Sequence, residues 1–208
     1  MTTPTAVVHV VDDDEAVRDS LRFLLDAAGF AVRTHASAEA LLSAGPAAPG
    51  CVLTDVRMPG MDGLELLQCL RAAAIASPVV VMTGHADVPM AVRALKAGAL
   101  DFLEKPFSDD ALVAAIRAAL DESRRTAEAR AQSEKASTRI AELTPREREV
   151  FDLLVEGLPT KAIANALRAS PRTIEVHRAR VMEKLGARSL PELVRLALAA
   201  QVEPRLGE

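Results

Sequence analysis

Large aromatic residues are scarce: the 208-residue chain has no tryptophan, no tyrosine and five phenylalanines. Half of its residues are still hydrophobic, mostly Ala, Val and Leu. That composition suits Ala-rich helices packed over Val-rich strands. No apolar run approaches the roughly 18 residues a bilayer span needs, so no membrane-crossing helix is expected. The opening Met-Thr-Thr-Pro-Thr puts no basic residue ahead of an apolar stretch, so no signal peptide is expected and the chain reads as cytoplasmic. Cys51 and Cys69 are isolated thiols in apolar segments, which fits small buried hydrophobes better than a disulfide or a metal pair. No Gly-x-Gly-x-x-Gly or phosphate-binding loop follows the first apolar run, which argues against a nucleotide-binding domain.

This length accommodates two small domains, and the charge divides along it. Residues 1–120 hold fifteen acidic and nine basic residues, 121–143 five of each, and 144–208 nine and eleven. An acidic front and a mildly basic tail point to different partners for the two ends. So small a basic excess does not by itself establish nucleic-acid binding.

The chain is organised around Leu53-Thr54-Asp55-Val56-Arg57-Met58-Pro59-Gly60. An apolar run delivers a lone carboxylate, Asp55, just before a Pro-Gly breaker, as a buried strand ending in a turn would. Val7–Val11, Phe30–Thr34, Val79–Met82 and Asp101–Glu104 read as further strands. Apolar residues at helical spacing lie between them, with caps expected at Asp14, Ser37 and Ser108. Five strands alternating with five helices predict an α/β fold, a doubly wound five-stranded parallel sheet over residues 1–120. Residues 121–142 contain no Gly or Pro, and their propensities favour a helical linker, 121–143, over a disordered charged one. Residues 144–208 read as an all-α four-helix domain with a tight break at Arg168–Pro171, a helix-turn-helix pattern. Thr144-Pro145-Arg146-Glu147 forms a capping box, and Thr160, after Pro159, is left to cap the second of these helices.

In a doubly wound sheet the carboxyl ends of the strands converge on one edge. Asp12, Asp13, Asp55, Thr83 and Lys105 all stand at such ends. Clustered carboxylates need a cation, and oxygen-only ligation suits Mg²⁺. A lysine and a hydroxyl opposite an aspartate suit in-line phosphoryl transfer.

On Val-Val-Asp12-Asp13, Asp55-Val-Arg-Met-Pro-Gly-Met-Asp-Gly63, Thr83-Gly84 and Lys105-Pro106, residues 5–121 resemble the receiver domain of two-component response regulators. The phrases around His85 and Phe102 look like the FixJ subfamily. The resemblance implies that Asp55 is the phospho-acceptor, with Mg²⁺ held by Asp12, Asp13, Asp55 and the Arg57 backbone carbonyl. It implies that Thr83, Lys105 and the Gly84 amide meet the phosphoryl oxygens. Phe102 would be the switch aromatic that follows Thr83 inward, and Arg57 and His85 would tune the acyl-phosphate lifetime. A cis bond is implied at Lys105–Pro106.

Leu-Thr-Pro-Arg-Glu-Arg-Glu-Val, Lys161-Ala-Ile-Ala, Arg172-Thr-Ile-Glu-Val-His-Arg178 and Met-Glu-Lys-Leu-Gly186 make residues 144–200 resemble the LuxR/FixJ-type DNA-binding domain. The third helix would then read the major groove. Glu175, Val176 and Ala179 would face base edges, and Lys161, Thr173, His177, Arg178 and Lys184 would lie at phosphates. The fourth helix would dimerise and present two readers to inverted half-sites.

The resemblances together imply a transcription regulator phosphorylated on Asp55 by a sensor histidine kinase. It would form a homodimer when phosphorylated, bind promoter DNA, engage RNA polymerase and activate transcription, with no membrane partner. Its chemistry would be limited to its own phosphoryl transfer and dephosphorylation. Two alternatives use the same residues: a regulator that binds DNA independently of phosphorylation, and a Mg²⁺-dependent aspartyl-phosphate phosphatase. The latter normally needs an acid/base Asp two positions after the nucleophile, where this chain has Arg57.

Overall fold

The computed structural model describes residues 6–45, 50–84 and 88–200. The chain divides into two compact units, 1–127 and 128–208.

In the first unit strands and helices alternate: β1 Val7–Val11, α1 Glu15–Ala27, β2 Ala31–His35, α2 Ala38–Ala44 and β3 Gly50–Asp55. They continue as α3 Gly63–Ala72, β4 Val79–Thr83, α4 Val88–Ala97, β5 Asp101–Glu104 and α5 Asp109–Ala141. The five strands form one parallel sheet in the order β2-β1-β3-β4-β5, the predicted doubly wound architecture. β2 starts one residue later than the sequence reading placed it.

Parallel strands covered on both faces must be apolar on both. Every residue of β3 and β4 is accordingly buried. On one face Val52, Val79 and Val81 meet Leu41 of α2 and Leu66, Leu67 and Leu70 of α3. On the other, Cys51, Leu53, Val80 and Met82 meet Leu21 and Leu25 of α1 and Leu112 and Ile116 of α5. Burial drives the Cys51 thiol up to about 12, as suits a packing residue rather than a reactive one. Polar groups interrupt the apolar faces at Thr54, whose hydroxyl donates to the Asp55 carbonyl, and at one histidine pair. The rings of His9 and His35 stack with centroids 5.3 Å apart, and Nδ1 of His9 lies 3.0 Å from Nε2 of His35.

Helix starts follow local chemistry. Asp14 accepts the Ala16 and Val17 amides, Ser37 accepts that of Ala40, and Asp62 forms a reciprocal capping box with Glu65. Residues 121–141 are helical as part of α5, and the Ser123 hydroxyl accepts the Gly50 amide at 3.0 Å.

The second unit holds α6 Pro145–Val155, α7 Thr160–Ala166, α8 Pro171–Leu185 and α9 Leu190–Ala199. Val150, Phe151, Leu154, Ile163, Ile174, Val181, Leu185 and Leu193 form its core, joined by Ile140 and Leu143. The segment read as a linker therefore contributes its last turn to this core. The Thr144–Glu147 capping box is present. The expected cap at Thr160 is not. Thr160 is the first helical residue, and Pro159 holds the N-cap position with no side-chain acceptor to offer.

Candidate phospho-acceptor pocket and DNA-reading helix

Strand register builds the pocket. Val11 lies beside Thr54, so the next residues, Asp12 and Asp55, emerge side by side. Asp55 lies beside Met82 and Thr83 beside Glu104, so Thr83 and Lys105 follow on the same edge. Asp12 is 2 % exposed and Asp55 8 %. Lys105 Nζ donates to Asp55 Oδ1 at 2.7 Å and to Asp12 Oδ2 at 3.0 Å. The remaining oxygens are also occupied. Asp55 Oδ2 accepts the Arg57 amide at 2.7 Å, and Asp12 Oδ1 accepts the Asp14 amide at 3.0 Å. Burial works against the Lys105 charge, but the hydrogen bonds and charges of Asp55 and Asp12 outweigh it and raise its pKa above the ordinary lysine value.

One ammonium shared by two buried carboxylates leaves the pocket one negative charge in excess. Asp13, the third predicted ligand, is exposed beside it. Among the described residues no three Asp, Glu, His or Cys side chains come close enough to hold a metal. The donors are nonetheless all oxygen and the charge is in deficit of cations, which fits a hard divalent ion.

Thr83 is buried at the end of β4, and Gly84 is exposed after it. Phe102 is half-buried on β5, packed against the cluster that contains Val81. The Lys105–Pro106 bond is cis. His85 lies outside the described residues. One contributor was not legible in the sequence. Arg18 Nη1 donates to the Asp12 carbonyl at 2.8 Å, from a helical position six residues on with no motif to mark it. Gly63 packs its Cα against the Asp55 carbonyl so closely that a Cβ there would collide with it.

In the second unit α8 buries Ile174, Val181 and Leu185 and leaves Thr173, Glu175, Val176, Arg178 and Ala179 exposed. Lys161 on α7 is exposed as well. His177 is half-buried, its Nδ1 without a hydrogen-bond partner among the described residues. Lys184, expected at a phosphate, is engaged within the second unit. Its ammonium donates to buried Glu147 at 2.7 Å, because the end of α8 crosses the start of α6. That ammonium and then the Thr144 amide hold the Glu147 carboxyl down to about 2. Arg146 Nη2 likewise ties α6 to the Leu167 carbonyl at the α7–α8 turn, at 2.6 Å.

Residues 8–117 match the response regulator receiver domain, and residues 141–197 match the bacterial regulatory proteins of the luxR family. The transcriptional regulatory protein FixJ of Azorhizobium caulinodans is 56 % identical over 198 residues, covering 95 % of this chain and 94 % of the relative. The chain belongs to the FixJ family of response regulators. A solved structure of the response regulator StyR superposes with a TM-score of 0.81 at 43 % identity, covering 93 % of this chain and 98 % of that one. Full-length FixJ from B. japonicum gives 0.58 at 51 % identity, over 97 % and 100 %. A FixJ-family member is a DNA-binding two-component regulator, so its receiver implies a histidine kinase and its second unit implies DNA. No helix among the described residues is long and apolar enough to cross a membrane.

Proposed function

We propose that Asp55 accepts a phosphoryl group from a sensor histidine kinase and that the modified chain dimerises and activates transcription. The observation that carries this reading is the Lys105 ammonium bridging two buried carboxylates at strand ends. One Asp55 oxygen attacks phosphorus as the bond to the kinase imidazole breaks, and the pair in that bond returns to the imidazole. Lys105 moves its charge from the carboxylates to the phosphoryl oxygens, and the Thr83 hydroxyl and Gly84 amide complete the contacts. Asp12, Asp13, Asp55 and the Arg57 backbone carbonyl would hold Mg²⁺, which supplies charge neutralisation at the phosphoryl oxygens. The same groups serve dephosphorylation of the acyl phosphate. Phe102 follows Thr83 inward and alters the face of α4 and β5, where Val92 and Leu95 stand exposed.

That face dimerises in this reading. The paired output units, joined through α9 with its exposed Leu198, meet inverted half-sites. Glu175, Val176 and Ala179 contact bases, while Lys161, Thr173, His177 and Arg178 contact phosphates. Lys184 positions α8 through Glu147. The bound dimer recruits RNA polymerase in the cytoplasm.

Intact-mass measurement after incubation with acetyl phosphate and Mg²⁺ tests the first step. The wild-type chain gains one phosphoryl group and elutes as a dimer, whereas Asp55→Asn gains none and stays as the untreated protein. An Asp55→Asn chain that still gains Mg²⁺-dependent phosphate would overturn the assignment.

A further inference from the structure

The edge of the sheet opposite Asp55 carries an open cleft of about 610 Å³ that phosphoryl transfer does not use. Its size lies within the range of small-molecule sites. Leu67, Leu70 and Ala99 floor it and are each almost wholly buried. Leu100, 39 % exposed, extends the apolar surface to the rim.

Two polar features stand over this floor. The Arg71 guanidinium lies against residue 98, and its Nη2 donates to the Gly98 carbonyl at 2.8 Å. A Cβ at residue 98, where φ is +96°, would strike the guanidinium, so the glycine is what makes room for it. One bond to a carbonyl leaves the other guanidinium N–H groups available. Ser77 also lines the cleft, 7 % exposed, and its hydroxyl meets no hydrogen-bond partner among the described residues. A buried hydroxyl without a partner is uncommon and costly; this oxygen is itself shut off from solvent, so a small shift of the side chain into the cleft would bring it to an incoming acceptor without breaking an existing bond. On the far wall stands Glu122 of α5. Its carboxylate disfavours a second negative charge on any occupant.

We propose that this cleft binds a small amphipathic monocarboxylate. The carboxylate pairs with the free edge of Arg71 and takes the Ser77 hydroxyl, while an unbranched or aromatic body covers Leu67, Leu70 and Ala99. The occupant touches Glu122 and Thr126, and so contacts α5 directly.

The full-length protein titrated with octanoate and, separately, octylammonium provides the test, read from backbone amide resonances. Both probes have the same tail and opposite heads. Octanoate should shift Ser77, Gly98 and Leu100 saturably, and octylammonium should bind at least about tenfold more weakly. Arg71→Gln should weaken octanoate about fivefold or more. Glu122→Gln, an exposed change in the opposite electrostatic sense, should tighten it about two- to threefold. Unsaturable shifts spread over exposed apolar residues such as Phe23, or equal binding of the two probes, would overturn the proposal. If Arg71→Gln does not fold, Glu122→Gln decides alone: octanoate binding no tighter than wild type refutes the site.

Discussion

The two functional regions are built on opposite plans. The receiver pocket is buried and convergent: four strand ends bring Asp12, Asp55, Thr83 and Lys105 together, and the ammonium offsets only one of the two carboxylate charges. The proposed DNA-reading surface is open and local, with Thr173, Glu175, Val176, Arg178 and Ala179 all on one helix and exposed to solvent. In the pocket each side chain is held by the fold as well as by its chemistry. On α8 the fold uses the inward residues and Lys184, which leaves Glu175, Val176, Arg178 and Ala179 available for the proposed DNA contacts. Removing a pocket residue should thus cost stability and function together, while removing an exposed α8 residue should cost binding alone.

The largest effect is expected for Lys105→Met, which leaves two buried carboxylates facing each other. Breaking a fully buried pair costs about 3–5 kcal/mol. The Lys105 side chain is 26 % exposed, and solvent screening lowers the expected loss to about 1–3 kcal/mol. The loss should appear in the receiver transition alone, and added Mg²⁺ should recover part of it. Thermal unfolding followed by calorimetry, with and without the ion, measures both.

Acid should separate the two units. Burial, then the charges of His35 and Arg33, lower the His9 pKa from 6.5 to about 4. The unfolded chain therefore binds the proton first, and this contribution is full above about pH 6.5 and lost as pH falls toward 4. His35, lowered by burial and then by the Arg33 charge, adds in the same direction, and solvent screening at this half-buried ring leaves about 1–2 kcal/mol in all. In the second unit Glu147 falls from 4.5 to about 2, so its contribution is present above pH 4.5 and lost only as pH falls toward 2. Far-apart resonances from each unit, followed through an acid titration at fixed temperature, should show the receiver weakening first. Simultaneous weakening would contradict the difference.

Much of this was legible because parallel strands buried on both faces read as apolar runs, and their ends announce the site. The order of Asp12, Asp55, Thr83 and Lys105 along the chain suffices once the sheet is parallel, since register aligns the ends. Arg18, bonded to a main-chain carbonyl, carries no such signature. Lys184 illustrates the converse. A lysine late in the proposed recognition helix reads as a phosphate contact, and only the packing of α8 on α6 reveals that it also faces Glu147. Sequence shows which face of a helix is polar but not which polar residues the neighbouring helix has already taken.

That distinction has a measurable form. Lys184→Ala should lower the melting temperature of the second unit by several degrees and leave the salt dependence of DNA binding unchanged. Arg178→Ala should do the reverse, with the slope of log K against log salt falling by about one phosphate's worth. Fluorescence anisotropy across a salt series distinguishes them, and a reduced slope for Lys184→Ala would restore it to the phosphate-contacting set.

The smallest effect concerns the turn between α7 and α8. Arg168 has φ +49°, the left-handed region that costs a residue with a Cβ about 1–2 kcal/mol. Its amide donates to the Asn165 carbonyl, which any residue would preserve. Arg168→Gly removes the strain but adds freedom to the unfolded chain, worth roughly 0.5–1 kcal/mol in the other direction. The net gain should be about half a kcal/mol, visible as a slightly raised melting temperature of the second unit. Since the side chain is exposed and the turn sets the angle between α7 and α8, DNA affinity should stay within about twofold. A larger loss would mean that Arg168 itself contacts phosphate, extending the reading surface from the recognition helix into the turn before it.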